Sequence, residues 1–442
     1  MTIRMDEGAA ELLDTLHRAG YAAYVVGGCV RDSLLGLTPH DWDLCTSALP
    51  QQGMELFGAE KCIPTGLQHG TVTVKQGGGL YEITTFRTEG AYTDGRHPDE
   101  VHFVPDVRED LARRDFTINA MAYNAKEGLV DPFGGQADLQ SGILRAVGVP
   151  HQRFTEDALR ILRLYRFAAR FGFAIDPPTA QAAQELCAHL DCVSVERIEE
   201  ELAKLLSAPA PAAYLDEKIL GVVLPELSPE ALAAAKPVVD ACPAGERALP
   251  VRLAALLLSL GEDGTRRTLR RLRCSNACVE ETAVLVREIV SGVPGAFSSD
   301  TNRAIPSPAL LPAATGSHPS GRSSEKLPAR PPVSLNIYAR RLLGKYNLCT
   351  VQRLAALGTA LQPEHAADFA ALSELAEQLD ADGVCCRVSQ LAVNGRDLMA
   401  AGVPAGPGIR KVLEALLDGV IREEYPNERQ ALLAAVQQLA AS

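Results

Sequence analysis

Residues 24–43, YVVGGCVRDSLLGLTPHDWD, constrain this chain more than any other stretch. Tyr24, Val25 and Val26 are apolar and β-prone, and Gly27-Gly28 ends that strand with no side chain at the turn. Backbone N–H groups there can approach a ligand closely. Residues 30–35 can start a helix, whose N-terminus attracts phosphate. Arg31 adds a forked positive charge. Asp41 and Asp43 stand two apart, so in a strand their carboxylates share one face. Paired carboxylates beside a phosphate cradle suit Mg²⁺ bound together with a nucleoside triphosphate.

Composition narrows the frame. A chain of 442 residues is long enough for several domains. Hydrophobic residues make up 47% and aromatics only 5%, with Ala and Leu abundant, which favours helices packed on helices. The net charge of −12 argues against a generally basic nucleic-acid binder but leaves room for local basic patches. The opening MTIRMDEGAAELL carries acids where a secretory leader needs an apolar run, and no run has the length of a membrane span. The eleven cysteines contain no CxxC pair. Reduced thiols in a cytoplasmic protein are the expectation.

Taken in order, residues 8–19 predict an amphipathic helix burying Leu12, Leu13 and Leu16. Ser47 is placed to cap a helix over 48–57. Residues 71–75 and 80–86 alternate as strands around Gly77-Gly78-Gly79, a hairpin signal. Glu82 in the second strand either completes a carboxylate trio with Asp41 and Asp43 or is a partly exposed strand residue. Residues 88–98, TEGAYTDGRHP, read as a polar loop before a strand over 101–104. In residues 111–123, LARRDFTINAMAY, Asp115 or Thr117 could cap a helix with Ile118, Met121 and Ala122 on its apolar face. Arg113, Arg114 and Asp115 suit contacts to phosphates and ribose hydroxyls.

From Phe154 the period is helical, FTEDALRILRLYRFAARFGF, with Leu159, Leu162 and Phe167 forming a buried stripe. Asp157 and Arg160 are helical neighbours. Either they form an ordinary intrahelical ion pair, or they read a base. An Asp can accept from an exocyclic amine while an Arg donates to the adjacent ring nitrogen. Cytosine and adenine share that edge; uracil and guanine present the reverse. Further on, Arg266, Arg267, Arg270, Arg271 and Arg273 form a cationic cluster, either for RNA phosphates or as a solvated helix face. Residues 292–332 are rich in Pro, Ser and Gly without periodicity and read as a disordered insertion. Helices resume from Leu335, and Gly406-Pro407-Gly408 precedes one starting near Ile409. It either holds an RNA phosphate or punctuates the helix.

The ordered set GGxVRD, DxD, RRDFTxNAMA and EDxLRxLRxxRFAxxxGF resembles the nucleotidyltransferases of the DNA polymerase beta superfamily. Within them it is similar to bacterial tRNA CCA-adding enzymes and their poly(A) polymerase relatives. The resemblance is strong over about 20–205 and moderate in the C-terminal helices, and 292–332 lies outside it. It implies an α+β fold: a nucleotidyltransferase head with a small mixed sheet (1–145), then all-α neck (146–205), body (206–291) and, after the insertion, tail (333–442). It implies CMP and AMP addition to a tRNA 3′ end from CTP and ATP, with Mg²⁺ ions on Asp41 and Asp43 and Glu82 as a third catalytic carboxylate. Nucleotide contacts carry over to Gly27, Gly28, Arg31, Asp32, Arg113, Arg114, Asp115, Asn119, Asp157, Arg160, Arg163 and Arg166. Residues 196–202 resemble a neck motif that braces the template helix, and 131–135 a hinge. In the family a loop at 88–98 serves the switch from C to A, which weighs against a CC-only enzyme. An A-adding enzyme, a poly(A) polymerase and, from another class, an inactive RNA-binding scaffold are the rivals. No membrane and no protein partner are implied.

Overall fold

The computed structural model describes residues 3–90, 101–291 and 334–441. The chain divides into two compact units, 1–225 and 226–442.

The first unit opens with α1 (Glu7–Arg18), which buries Leu12, Leu13 and Leu16 as its periodicity requires. Strand β1 (Ala23–Val26) leads into α2 (Gly28–Leu34), then β2 (Leu44–Thr46), α3 (Pro50–Phe57) and β3 (Cys62–Gly66). The expected hairpin forms from β4 (Thr71–Gln76) and β5 (Gly79–Thr85), with Gly77 and Gly78 in the left-handed region that the tight turn needs. Strands β6 (Arg87–Glu89) and β7 (Val101–Phe103) pair with each other. Then come α4 (Val107–Ala112), β8 (Ala122–Asn124), β9 (Gly128–Val130) and α5 (Gly135–Ser141). The main sheet is mixed, in the order β3-β4-β5-β2-β1-β8-β9, with β2 and β5 parallel and the other neighbours antiparallel. Tyr24, Val26, Cys45, Phe86, Leu111 and Ala122 form a core against one face. The short strands β10 (Ile143–Leu144) and β11 (Ala174–Ile175) pair in parallel on either side of α6 (Pro150–Glu156) and α7 (Leu159–Phe171). Three more helices, α8 (Pro177–Glu185), α9 (Val195–Leu206) and α10 (Glu217–Val223), complete the unit.

The second unit is all-helical among its described residues. It includes α11 (Pro229–Ala241), α12 (Leu249–Leu257), α13 (Gly261–Arg271), α14 (Asn276–Val290), α15 (Leu335–Lys345), α16 (Leu348–Leu361), α17 (Ala366–Ala381), α18 (Gly395–Ala400), α19 (Pro407–Ile421) and α20 (Arg429–Ala441). An α+β head followed by helices is therefore the observed class.

Three local expectations are corrected. Ser47 caps no helix: its hydroxyl accepts from Ala22 N at 3.0 Å, and α3 starts at Pro50 with Leu49 as N-cap. Residues 111–123 do not form one helix. Thr117–Asn119 make a single 3₁₀ turn, and Ala122 and Tyr123 pair with Val26 and Val25. Ile118, Met121 and Ala122 are buried as expected, but sheet pairing overrides their helix-like spacing. The helix expected from Phe154 is two, broken at Asp157, whose backbone is extended at φ −144° and whose carboxylate accepts from Leu159 N at 3.0 Å. Leu159, Leu162 and Phe167 are buried. All eleven cysteines are free. The loop expected over 88–98 enters β6 at residues 88 and 89, and residues 91–100 lie outside the described residues, as do 292–333.

Candidate active site

The antiparallel pairing of β1 with β2 brings the Gly27 turn beside Asp43. Val26 N donates to Asp43 O at 2.9 Å, and Gly27 N donates to Met121 O at 3.1 Å. Asp43 thus sits one residue before β2 and already joins the ladder. The parallel β2–β5 register matches Leu44 with Ile83, so Glu82 is the neighbour of Asp43 one step back on the same face. Asp41, Asp43 and Glu82 are all exposed to solvent. Asp43 is nevertheless surrounded by protein mass, which pushes its carboxyl up. Arg114 opposes the rise, and the negative charges of Glu82 and Asp41 add to it. Among the described residues no three His, Cys, Asp or Glu side chains converge closely enough to chelate a metal alone. The concentrated negative charge at Asp43 still fits a divalent cation held by one or two carboxylates and completed by substrate phosphates, the usual arrangement for Mg²⁺.

Gly27 caps α2 with φ 77°, a conformation glycine accepts without strain. A Cβ there would also meet Arg114 Nη1 at 2.8 Å. Gly28 has no such constraint, since its added carbon would lie 3.6 Å from Arg31 Nη2, an ordinary contact. Arg114 therefore lines the glycine turn. Its Nη2 reaches Asp110 Oδ2 at 3.4 Å, and its buried Nε has no hydrogen-bond acceptor. Arg113 donates to Asp110 Oδ1 from Nε at 3.0 Å and Nη2 at 2.9 Å. Asp110 is fully buried, and these two arginines hold its carboxyl below the usual range against the upward push of burial.

Arg31 lies beneath this cradle, 4% exposed. Nε donates to Asp32 at 2.7 Å and Nη1 to Asn119 Oδ1 at 2.5 Å, while the guanidinium faces the rings of Phe167 and Phe171 at 5.2 and 4.9 Å. Asn119 in turn donates to Asp115 Oδ1 at 3.1 Å. Asp115 Oδ2 takes Nε and Nη2 of Arg163 at 3.0 and 2.7 Å. Glu201 on α9 receives Arg166 at 2.5 Å and Arg163 at 3.6 Å. Arg170 reaches Asp32 at 3.3 Å. A continuous charge chain, buried at Arg31, Asp32, Asn119, Asp115 and Glu201 and partly exposed at Arg163 and Arg170, thus joins α2, the 115–119 segment, α7 and α9. Burial pushes the Asp115 carboxyl up, but Arg163 and Asn119 outweigh it and hold it down to about 2.

Arg160 N donates to Asp157 O at 3.0 Å, but the two side chains turn to other partners. Asp157 Oδ2 accepts from Arg197 Nη2 at 2.8 Å. Arg160 donates to Glu156 at 2.9 Å and to Arg113 O at 3.1 Å. The sequence reading recognised Arg197 and Glu201 only as neck residues and missed Asp110, Arg153 and Glu156. Helical spacing could have found these: Glu156 stands four before Arg160, and Asp110 three and four before the paired arginines.

In the second unit, arginines of the cluster pair with carboxylates. Arg266 pairs with Glu262 at 3.0 Å and with Glu280, Arg270 reaches Glu280 at 3.6 Å, and Arg271 holds Glu226 at 2.7 Å. Arg267 and Arg273 are exposed.

Family models match three stretches: the "Poly A polymerase head domain" over residues 23–145, the "Probable RNA and SrmB-binding site of polymerase A" over 172–230, and a tRNA nucleotidyltransferase domain 2 over 334–436. The CCA-adding enzyme of Limosilactobacillus fermentum is 35% identical over 442 residues, spanning 98% of this chain and 97% of that protein. The chain belongs to the CCA-adding enzymes. That of Geobacillus stearothermophilus is 34% identical over 96% of this chain and 95% of its own. That of Lactiplantibacillus plantarum is 49% identical over 209 residues, a match spanning about half of each protein (47% and 51%). Among solved structures, the Bacillus stearothermophilus CCA-adding enzyme in complex with CTP aligns with a TM-score of 0.77 at 30% identity, covering 99% of this chain and 98% of that one. The Thermotoga maritima CCA-adding enzyme complexed with tRNA shares the fold, with a TM-score of 0.64 at 20% identity over 99% and 97% of the two chains.

Proposed function

We propose that this member of the family adds CMP, CMP and AMP to the 3′ end of immature tRNA, from CTP and ATP, with release of pyrophosphate, in the cytoplasm. The observation that supports this most is Asp43, next to the Gly27 turn and within the fields of Asp41, Glu82 and Arg114. Negative charge gathers around Asp43, and Arg114 lines the adjacent glycine turn. Asp41 and Asp43 would hold two Mg²⁺ ions with Glu82 alongside. When bound, the metal lowers the pKa of the RNA 3′-hydroxyl and neutralises charge on the triphosphate.

The chain's own groups do the rest. The backbone N–H of Gly28, together with Arg114 and its acceptor-free Nε, binds and orients the triphosphate beside the Gly27 turn. Arg113 and Asp115 flank the ribose. Arg31, Asp32, Asn119, Arg163 and Arg166 form the chain beneath, which holds the cradle against α7. Asp157 and Arg160, fixed by Arg197 and Glu156, face the amine-plus-acceptor edge that cytosine and adenine share. A uracil or guanine there would leave buried polar groups unpaired, so rejection is strong. In this reading the head (1–145) is catalytic, the neck (146–205) reads the base, the body spans 206–291 and the tail (333–442) holds tRNA. In the body, the cluster of Arg266, Arg267, Arg270, Arg271 and Arg273 faces RNA phosphates. If Asp41→Ala left nucleotide incorporation intact while the fold was unchanged, the site would be wrongly placed.

A further inference from the structure

Glu156 ends α6 and divides its carboxylate between two arginines. Oε1 accepts from Arg153 Nη2 at 2.5 Å and Oε2 from Arg160 Nη1 at 2.9 Å. The side chains are little exposed, 18% for Glu156 and 11% for each arginine. Both arginines also grip the end of α4. Arg153 Nη1 donates to Ala112 O at 3.1 Å, and Arg160 Nη2 donates to Arg113 O at 3.1 Å. Carbonyls at a helix C-terminus have no partner within their own helix, and cations satisfy them well. Arg160 Nη1 also donates to Arg153 O at 3.3 Å. Its guanidinium is therefore held at both nitrogens, one from α6 and one from the segment that carries Arg114 and Asp115.

We propose that Glu156 and Arg153 are positioning residues for base selection: together they fix the direction of Arg160 and tie it to the 113–115 segment. This rests on the reading of Arg160 as a base reader. An arginine rejects a wrong base only if it cannot turn. A mobile guanidinium can swing its donors onto a carbonyl oxygen, which is what uracil and guanine offer where cytosine and adenine offer an amine. Glu156 holds that swing in check. The same clamp joins base reading to the ribose-side segment, because both arginines bond carbonyls at 112 and 113.

The test is single-nucleotide incorporation by the full chain with CTP, UTP, ATP and GTP separately, on tRNA transcripts ending at the discriminator base and at CC. The enzymes compared are the wild type, Glu156→Gln, and Arg153→Lys, which keeps the charge but loses the two-armed grip. Melting temperatures are recorded alongside. The clamp predicts that kcat/KM for CTP over UTP, and for ATP over GTP, falls about tenfold or more in both variants. Arg153→Lys answers the same question should Glu156→Gln fold poorly. Equal losses with all four nucleotides would mean a merely structural brace and overturn the proposal, as would unchanged ratios. A wild type with no preference for CTP and ATP would remove the base-reading role of Arg160 itself, and the clamp's role with it.

Discussion

Replacing Asp115 by asparagine tests the charge chain under the site. The change keeps volume and removes charge. The carboxylate accepts from Phe116 N at 2.8 Å, from Asn119 Nδ2 at 3.1 Å, and from Arg163 at 3.0 and 2.7 Å. An asparagine amide would aim an N–H₂ group at one of those donors and leave Arg163 with Glu201 at 3.6 Å. The carboxyl is held down to about 2, against an ordinary value of 3.8. A difference of roughly two pH units corresponds to on the order of 2–3 kcal/mol at neutral pH. Breaking a buried pair by removing one partner typically costs ~3–5 kcal/mol. The expected loss is therefore about 2–4 kcal/mol.

The single tryptophan, Trp42, lies between the two aspartates, so urea unfolding followed by its fluorescence reports on this unit. A carboxyl with a depressed folded value stabilises the fold above its unfolded pKa. That stabilisation is lost as pH falls through the folded value. The gap between wild type and Asp115→Asn should be full from about pH 7 to 5 and close between about pH 4 and 2. A gap under about 0.5 kcal/mol at neutral pH, or one that stayed constant down to about pH 2.5, would refute the reasoning.

Three further outcomes are expected. Asp43→Asn should lower incorporation on the order of a thousandfold or more with an unchanged circular dichroism spectrum, because it removes charge where the metal would sit. CTP at about a hundred times its Kd should stabilise the chain by about 2.7 kcal/mol in thermal unfolding with Mg²⁺, and much less in EDTA; equal stabilisation in both would count against a metal-bridged triphosphate. Gly27→Ala should destabilise by about 1–3 kcal/mol and raise KM for CTP, since φ is 77° and Arg114 blocks the added carbon; Gly28→Ala, checked in the same urea and kinetic series, should be milder.

Much of this was readable in the chain because it rests on local pattern. Leu12, Leu13 and Leu16 announce α1 by their spacing, and the glycines at 77–79 announce the β4–β5 hairpin. The approach of Asp43 to the strand that ends at Gly27 follows from the same local pattern, because a tight strand–helix–strand unit brings its ends together. What failed depends on distant partners. Residues 117–122 space their apolar side chains like a helix, but pairing with Val25 and Val26, nearly a hundred residues earlier, makes them a turn and a strand. At Asp157 and Arg160 helical spacing allows a mutual ion pair as one of two readings. Arg197, forty residues on, takes the acid instead, and the local break at Asp157 frees Arg160 for Glu156. The arginines of residues 266–273 show their charge in the sequence, but not the acids that Arg266, Arg270 and Arg271 reach, because Glu226 and Glu280 lie on other segments.

The central claim is tested most directly by extending tRNA transcripts that end at the discriminator base, at C and at CC. Each is incubated with Mg²⁺ and CTP, ATP or both, and products are sized at single-nucleotide resolution. The account predicts that all three grow to one shared CCA end and then stop. Extension of the CC transcript alone, a long ladder of A, or no incorporation at all would contradict it.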